Sequence, residues 1–135
     1  MIESAVAGPL CGVTLFLALT GGRLPRARAR ARPRALTVRW LSLGALAALE
    51  EVVWRGLVLS GLALALGSVA ALALSSAGFA VWHAPDLGRR CVIHALTGLG
   101  FGGAFLVGGL GAAIGAHATY NVLVDWAVHA ERARS

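Results

Sequence analysis

The sequence predicts an all-α membrane protein, a polytopic transmembrane helix bundle of about five spans. Three observations predict it. Of 135 residues, 58% are hydrophobic and 13% charged, with a mean hydropathy of +0.77, which leaves too little polar surface to cover a water-soluble domain of this size. The apolar residues fall in long runs, and a transmembrane helix needs roughly 20 residues. The 12 basic residues are all arginine, against 6 acids for a net charge of +6, and nearly all of them lie between the apolar runs, where basic residues set membrane orientation. The two cysteines, Cys11 and Cys91, offer neither a disulfide framework nor a CxxC metal motif and read as small packing residues.

Residues 5–20 form the first apolar run. It follows Glu3 without a basic residue and has no convincing small-residue cleavage site, so it reads as a transmembrane helix rather than a signal peptide. Residues 1–22 are assigned to that helix. Residues 23–39 then carry Arg23, Arg26, Arg28, Arg30, Arg32, Arg34 and Arg39, with Pro25 and Pro33 discouraging a continuous helix. No aromatic residue interleaves them before Trp40, so the stretch reads as a cytoplasmic loop that can touch anionic lipid, not as a nucleic-acid site. The second helix, residues 40–66, is roughly 40 Å long and exceeds a hydrocarbon core of about 30 Å. It must tilt, bend or stop early, with Gly56, Gly61 and Gly67-Ser68 as candidate breaks. Residues 68–83 make the third span, closed by Pro85, Asp86, Arg89 and Arg90; residues 92–107 make the fourth, and residues 110–128 the fifth.

With the N-terminus outside, five spans place the Arg-rich loop, the Arg89-Arg90 turn and Arg132 and Arg134 on the cytoplasmic side, leaving only Arg55 elsewhere. Glycines recur as GxxxG at Gly98 to Gly102 and at Gly111 to Gly115, a spacing that lets helices approach closely in a membrane.

Inside the second helix stand Glu50, Glu51 and Arg55, in a run otherwise free of charge. A charge at bilayer depth costs on the order of 2.5 to 3.5 kcal/mol, so an intramembrane acidic pair points to a functional site. Glu51 and Arg55, four apart with the acid first, have the favoured ion-pair spacing. Glu50, turned about 100° away, is left for chemistry. The other intramembrane polar residues are His83, closing the third span behind Phe79, and His117 and Asn121, which share one face of the fifth. His94 and His129 sit near span ends without such company and read as interfacial. Asp125, one turn from Asn121, either orients that amide or faces headgroups. Counted along the helices, Glu50 and Asn121 reach a similar depth of about 16 Å, with His83 shallower.

The ordered motifs EExxxR (Glu50, Glu51, Arg55), FxxxH (Phe79, His83) and HxxxN (His117, Asn121) resemble those of the CPBP intramembrane proteases, the type II CAAX prenyl protease and bacterial Abi group. The resemblance spans most of residues 40–129, the expected protease core, leaving residues 130–135 as a cytoplasmic tail. Two departures stand out: Trp54 replaces a common Phe, and five spans are fewer than the family's usual eight or so. The resemblance implies an integral protein of the bacterial plasma membrane acting on a peptide or protein substrate held in or at the bilayer. It implies an intramembrane endopeptidase in which Glu50 and His83 activate water and His117 and Asn121 stabilise the oxyanion, with Glu51, Arg55 and Phe79 in support.

Hydrolysis of a peptide bond needs a base for water and donors for the oxyanion, and these residue types supply both. The same Glu50, His83 and His117 would also make a zinc site with an open position. No carboxylate partner for either histidine is evident, so the metal-free mechanism is preferred and no cofactor is expected. The competing reading is a non-enzymatic scaffold or helper subunit whose polar residues only hold helices together. Nucleic acid is not an expected partner; a homo-oligomer is compatible with the sequence.

Overall fold

The computed structural model describes residues 2–23 and 33–132, which contain helices and turns and no strand. Arg26, Arg28, Arg30 and Arg32 of the basic loop, and the last residues of the tail, lie outside the described residues. Helix α1 is Ile2–Leu19, and α2 is Pro33–Glu51. The latter begins before Trp40, so the end of the expected loop is helical. Pro33 does not oppose this, because at a first helical position its missing N–H costs nothing and its fixed φ suits a helix.

The chain continues from α2 through a π-helical stretch, Val52–Leu59, into α3 (Ser60–Leu66). The wide turn is visible in the Ser60 amide, which donates to the Arg55 carbonyl, an oxygen that also accepts the Ser60 hydroxyl at 2.9 Å. No periodicity in the sequence announces this, and such turns are frequent at functional sites. Gly67 then breaks the helix with φ 78° and ψ 162°, a conformation that other residues adopt only with strain. Of the candidate breaks, Gly67 is the one used.

Helix α4 is Ser68–Trp82, followed by the short α5 (Ala84–Leu87), a 3₁₀ turn at Gly88–Arg90 and the long α6, Cys91–Arg132. Helix α6 is broken at Gly109 (φ 71°, ψ −169°). On a straight helix Phe101 and His117 would stand roughly 24 Å apart, yet their rings stack at 4.5 Å. The chain therefore doubles back at Gly109, and α6 is a hairpin of two arms. By length and apolar content one stretch among the described residues, Cys91–Ala130, is long enough to cross a membrane; Val6–Leu19 and Ser68–Trp82 are apolar but shorter.

Helix α1 packs chiefly on α6. A methyl built on Gly8 would lie 2.5 Å from the Ala112 carbonyl oxygen, and one on Gly12 would run into the carbonyl of Ala116. Of the expected GxxxG pairs, Gly98 meets Ser76, Gly102 meets Leu72 and Gly115 meets Pro9, whereas Gly111 faces open space. The tightest approach, through Gly8 and Gly12, had no GxxxG-based expectation attached to it. Gly12→Leu is expected to cost about 1 to 3 kcal/mol by overpacking. Gly61→Ala, where nothing lies within 4 Å, is expected to be neutral or slightly stabilising because alanine favours helix. Chemical unfolding in detergent checks the contrast; equal midpoints for the two variants would contradict the packing described.

Candidate active site

The arms of α6, the end of α4 and the middle of the α2–α3 helix bring the polar residues together. Glu50 and Glu51 diverge as a helix requires. Glu51 is fully buried: one carboxylate oxygen, Oε1, is 2.8 Å from His117 Nδ1, and the other, Oε2, is 3.1 Å from Arg55 Nε, a charge contact out of line for a hydrogen bond. Arg55, 1% exposed, donates from Nη2 to the Gly98 carbonyl at 3.0 Å. Its guanidinium lies over the Phe79 ring at 4.8 Å and near Phe101 at 5.7 Å, so aromatic faces replace part of its lost hydration.

The side chain of Glu50 is about one-third exposed, and its Oε2 lies 4.0 Å from His83 Nε2 and 3.8 Å from His117 Nε2. Depth counting had placed His83 nearer the surface. Its ring nevertheless comes within 4.0 Å of Glu50, folding back along the last turn of α4. The His83 amide bonds to the Ala80 carbonyl, and His83 Nδ1 takes the Phe79 carbonyl at 2.8 Å. A carbonyl only accepts, so the proton of the neutral ring is on Nδ1 and Nε2 presents a lone pair to Glu50. By the same logic a Glu51 carboxylate oxygen accepting at 2.8 Å sets the proton of His117 on Nδ1. Both rings are also held from the side: Phe79 meets His83 edge-on at 4.6 Å and His117 edge-on at 5.9 Å, and Phe101 stacks on His117.

A cavity of about 340 Å³ collects Glu50, His83, His117 and Asn121, and Arg39, His94 and Asp125 line it too. Among the described residues the Asn121 amide has no hydrogen-bond partner in the protein, so its donors are available to the cavity. A second cavity, of about 360 Å³, is walled by Leu49, Val53, Trp54, Val58 and Trp82 and also touches Glu50. Glu50 thus stands between a polar chamber and an apolar groove.

A family model described as Type II CAAX prenyl endopeptidase Rce1-like matches residues 33–123. The chain belongs to this type II CAAX prenyl endopeptidase family. Comparison with curated proteins and with solved structures returned no match. Membership of a family of membrane-embedded CAAX-type proteases makes a protease, acting on a peptide or protein substrate in the membrane, the activity that the chain's ancestry supports. In this CAAX-type protease Glu50, His83, His117 and Asn121 share one cavity, and Glu51, Arg55 and Phe79 surround them from behind.

Several expectations need correction. His94 is not an isolated interfacial residue: it stacks on His83 at 4.2 Å with 24° between the planes, and lines the cavity. Its signal was partly available, since His83 directly precedes the Ala84–Arg90 turn and His94 follows it by four residues, within the first turn of the returning helix. Asp125 neither orients Asn121 nor faces headgroups; its buried Oδ1 is bound by Arg39 at 2.6 Å, and His129 leans on it with Nδ1 donating to the Asp125 carbonyl at 2.8 Å. Arg39, read as part of the basic loop, is therefore a wall of the site, and His129 has company after all. The expected lack of a carboxylate partner fails for His117, which Glu51 serves; the partner of His83 Nδ1 is the Phe79 backbone carbonyl, not a carboxylate.

That last correction bears on a zinc ion. Glu50, His83 and His117 suit one in donor type and orientation, each ring having its far nitrogen occupied as metal-binding histidines do. Their spacing of 3.8 to 4.0 Å is wider than the separation of about 3.4 Å between ligands of a tetrahedral zinc, given bonds near 2.1 Å. Among the described residues no group of three His, Cys, Asp or Glu side chains is placed to hold a metal ion as it stands.

Proposed function

We propose that this chain is an intramembrane endopeptidase that hydrolyses a peptide bond of a membrane-associated or lipidated substrate with water activated by Glu50 and His83. The observation that carries the reading is the convergence of three acceptors. The Glu50 carboxylate lies 3.8 to 4.0 Å from the bare Nε2 atoms of His83 and His117, too long for direct bonding, and a donor between them, such as water, bridges the carboxylate to one of the two nitrogens. A water giving one proton to Glu50 and the other to His83 has its lone pairs free for a carbonyl carbon. Its O–H bond breaks toward Glu50 as the C–O bond forms. The carbonyl oxygen becomes an anion next to Asn121, whose amide donates to it, and next to His117, which takes up a proton at Nε2 from water in the polar chamber as the charge develops and releases it on collapse. Collapse of this intermediate breaks the C–N bond, and the proton held by Glu50 goes to the departing amine.

The apolar groove beside Glu50 supports a substrate arriving from the hydrocarbon side while water enters from the polar chamber. Five membrane passes, with α6 contributing two and the N-terminus outside, are part of the same proposal. If a metal operates, Glu50, His83 and His117 would hold it, and it would lower the pKa of bound water. The direct mechanism is the one adopted here.

Purified protein in bilayers, incubated with a library of membrane-tethered peptides beside its Glu50→Ala variant, tests the reading. Cleavage by the wild type alone is expected; equal cleavage by both would remove the mechanism, and cleavage by neither would leave a non-catalytic scaffold. Asn121→Ala is expected to lower turnover by about 10²- to 10³-fold through loss of one oxyanion donor, read as kcat on the best library peptide. Chelators are expected to leave the wild type active. Stoichiometric zinc, lost together with activity on chelation, would assign the water to the metal instead.

A further inference from the structure

His94 belongs to none of the three motifs, yet its ring provides the closest aromatic contact of His83. We infer that His94 is a positioning residue, whose flat ring locks the His83 imidazole in the plane that aims Nε2 at Glu50.

His83 ends an element: it caps α4, its backbone leaves the helix at φ −89°, ψ −4°, and its ring is partly exposed in the cavity. Its hydrogen bond from Nδ1 runs to Phe79 within the same turn, and one such bond leaves the ring free to rock about the bond that carries it. Two rings restrict that motion. Phe79 meets it edge-on at 63°, and His94 covers a face at 4.2 Å and 24°. Phe79 and His94 in turn touch at 5.8 Å, so the three rings form one wedge. Offset-stacked and edge-on ring pairs of this kind attract beyond their burial and prefer a fixed relative orientation. The first arm of α6 holds His94 there, because Gly98, one turn on, lets that arm approach α4 so closely that an added Cβ would lie only 3.1 Å from the Cβ of Ser76.

The contact uses the ring's face and not a nitrogen. His94 Nδ1 is buried without a hydrogen-bond partner in the protein, and no polar contact joins His94 to Glu50 or His83 among the described residues. A group acting through shape should tolerate exchange for another flat ring; a group acting through its nitrogen should not.

The inference rests on the proposed role of His83, so the test has one arm that needs no activity. Protein labelled with ¹⁵N-histidine is reconstituted in nanodiscs as wild type, His94→Phe and His94→Ala, and the His83 signals are assigned by their loss in His83→Gln. Wild type and His94→Phe are expected to show one fixed His83 tautomer, with the proton on Nδ1. His94→Ala should show an average of the two tautomers. In the activity arm, using the best-cleaved library peptide, His94→Ala should lower kcat by about 10- to 100-fold, the scale of a small misplacement of a catalytic group, with KM within twofold. His94→Phe should stay within about threefold of wild type in both. An unaltered His83 signal in His94→Ala would overturn the inference, whatever the activity. So would a His94→Phe protein with a wild-type His83 signal and no turnover beside an active wild type, since that would put the chemistry on the His94 nitrogen. A wild type that cleaves nothing would count against the proposed function, while the tautomer arm still decides the positioning role.

Discussion

Glu50→Gln is expected to lower turnover by about 10³- to 10⁴-fold while leaving the fold intact, the upper part of the range for loss of a positioned general base. The separation of effects follows from where Glu50 sits. It is not part of the Glu51–Arg55 pair, its side chain is one-third exposed, and its neighbours across the cavity are two imidazole nitrogens at 3.8 and 4.0 Å. A glutamine amide fills the same volume and can donate to either nitrogen, so the folded state loses no partner. What it cannot do is accept a proton from water and return it to the amine. Thermal unfolding within a few degrees of wild type, with cleavage at background, is the expected pair of measurements. Retention of a tenth of the activity would show that the base lies elsewhere, and a large fall in stability would show that Glu50 is structural.

The sequence made the site's membership legible because charge and polarity are expensive in an apolar helix and so stand out against it. Glu50, His83, His117 and Asn121 do share a cavity, and the Glu51–Arg55 pair forms at the spacing expected of a helix. Residues near helix ends were less legible. At an end, a polar side chain is equally at home in headgroups or in a site, and only the tertiary arrangement decides; it puts Arg39, His94 and Asp125 in the wall of the cavity, which their sequence positions did not announce. The π-helical turn at Val52–Leu59 was hidden for another reason. It changes hydrogen-bond register by one residue without requiring any particular composition. The reversal at Gly109 was more accessible, because paired glycines between two apolar runs mark a turn even where both flanks are helical.

Arrangement around Glu51 also shows how the support and the chemistry are joined. One buried carboxylate faces a permanent cation on one side and a histidine of the cavity on the other. The guanidinium lies against one oxygen of the carboxylate, and the other oxygen accepts from His117 Nδ1, which holds that ring in one orientation. Neither Glu51 nor Arg55 lines the cavity with Glu50, so both act on the reaction through His117.

Arg55→Leu is therefore expected to destabilise the protein by about 3 to 5 kcal/mol, the cost of leaving one member of a buried pair without the other. Glu51 has no exposed surface and no water to turn to. Loss of the guanidinium also frees the Gly98 carbonyl and empties the space over Phe79 and Phe101. The cause can be separated from simple cavity formation by neutralising both partners. In Glu51→Gln/Arg55→Leu the same volume is lost at Arg55, but no lone charge remains, and the glutamine oxygen can still accept the proton on His117 Nδ1. The double variant should recover more than half of the stability lost by Arg55→Leu alone, measured by denaturant unfolding in the same detergent. If it recovers none, the loss comes from packing around Phe79 and Phe101, and the electrostatic account of the Glu51–Arg55 pair is wrong.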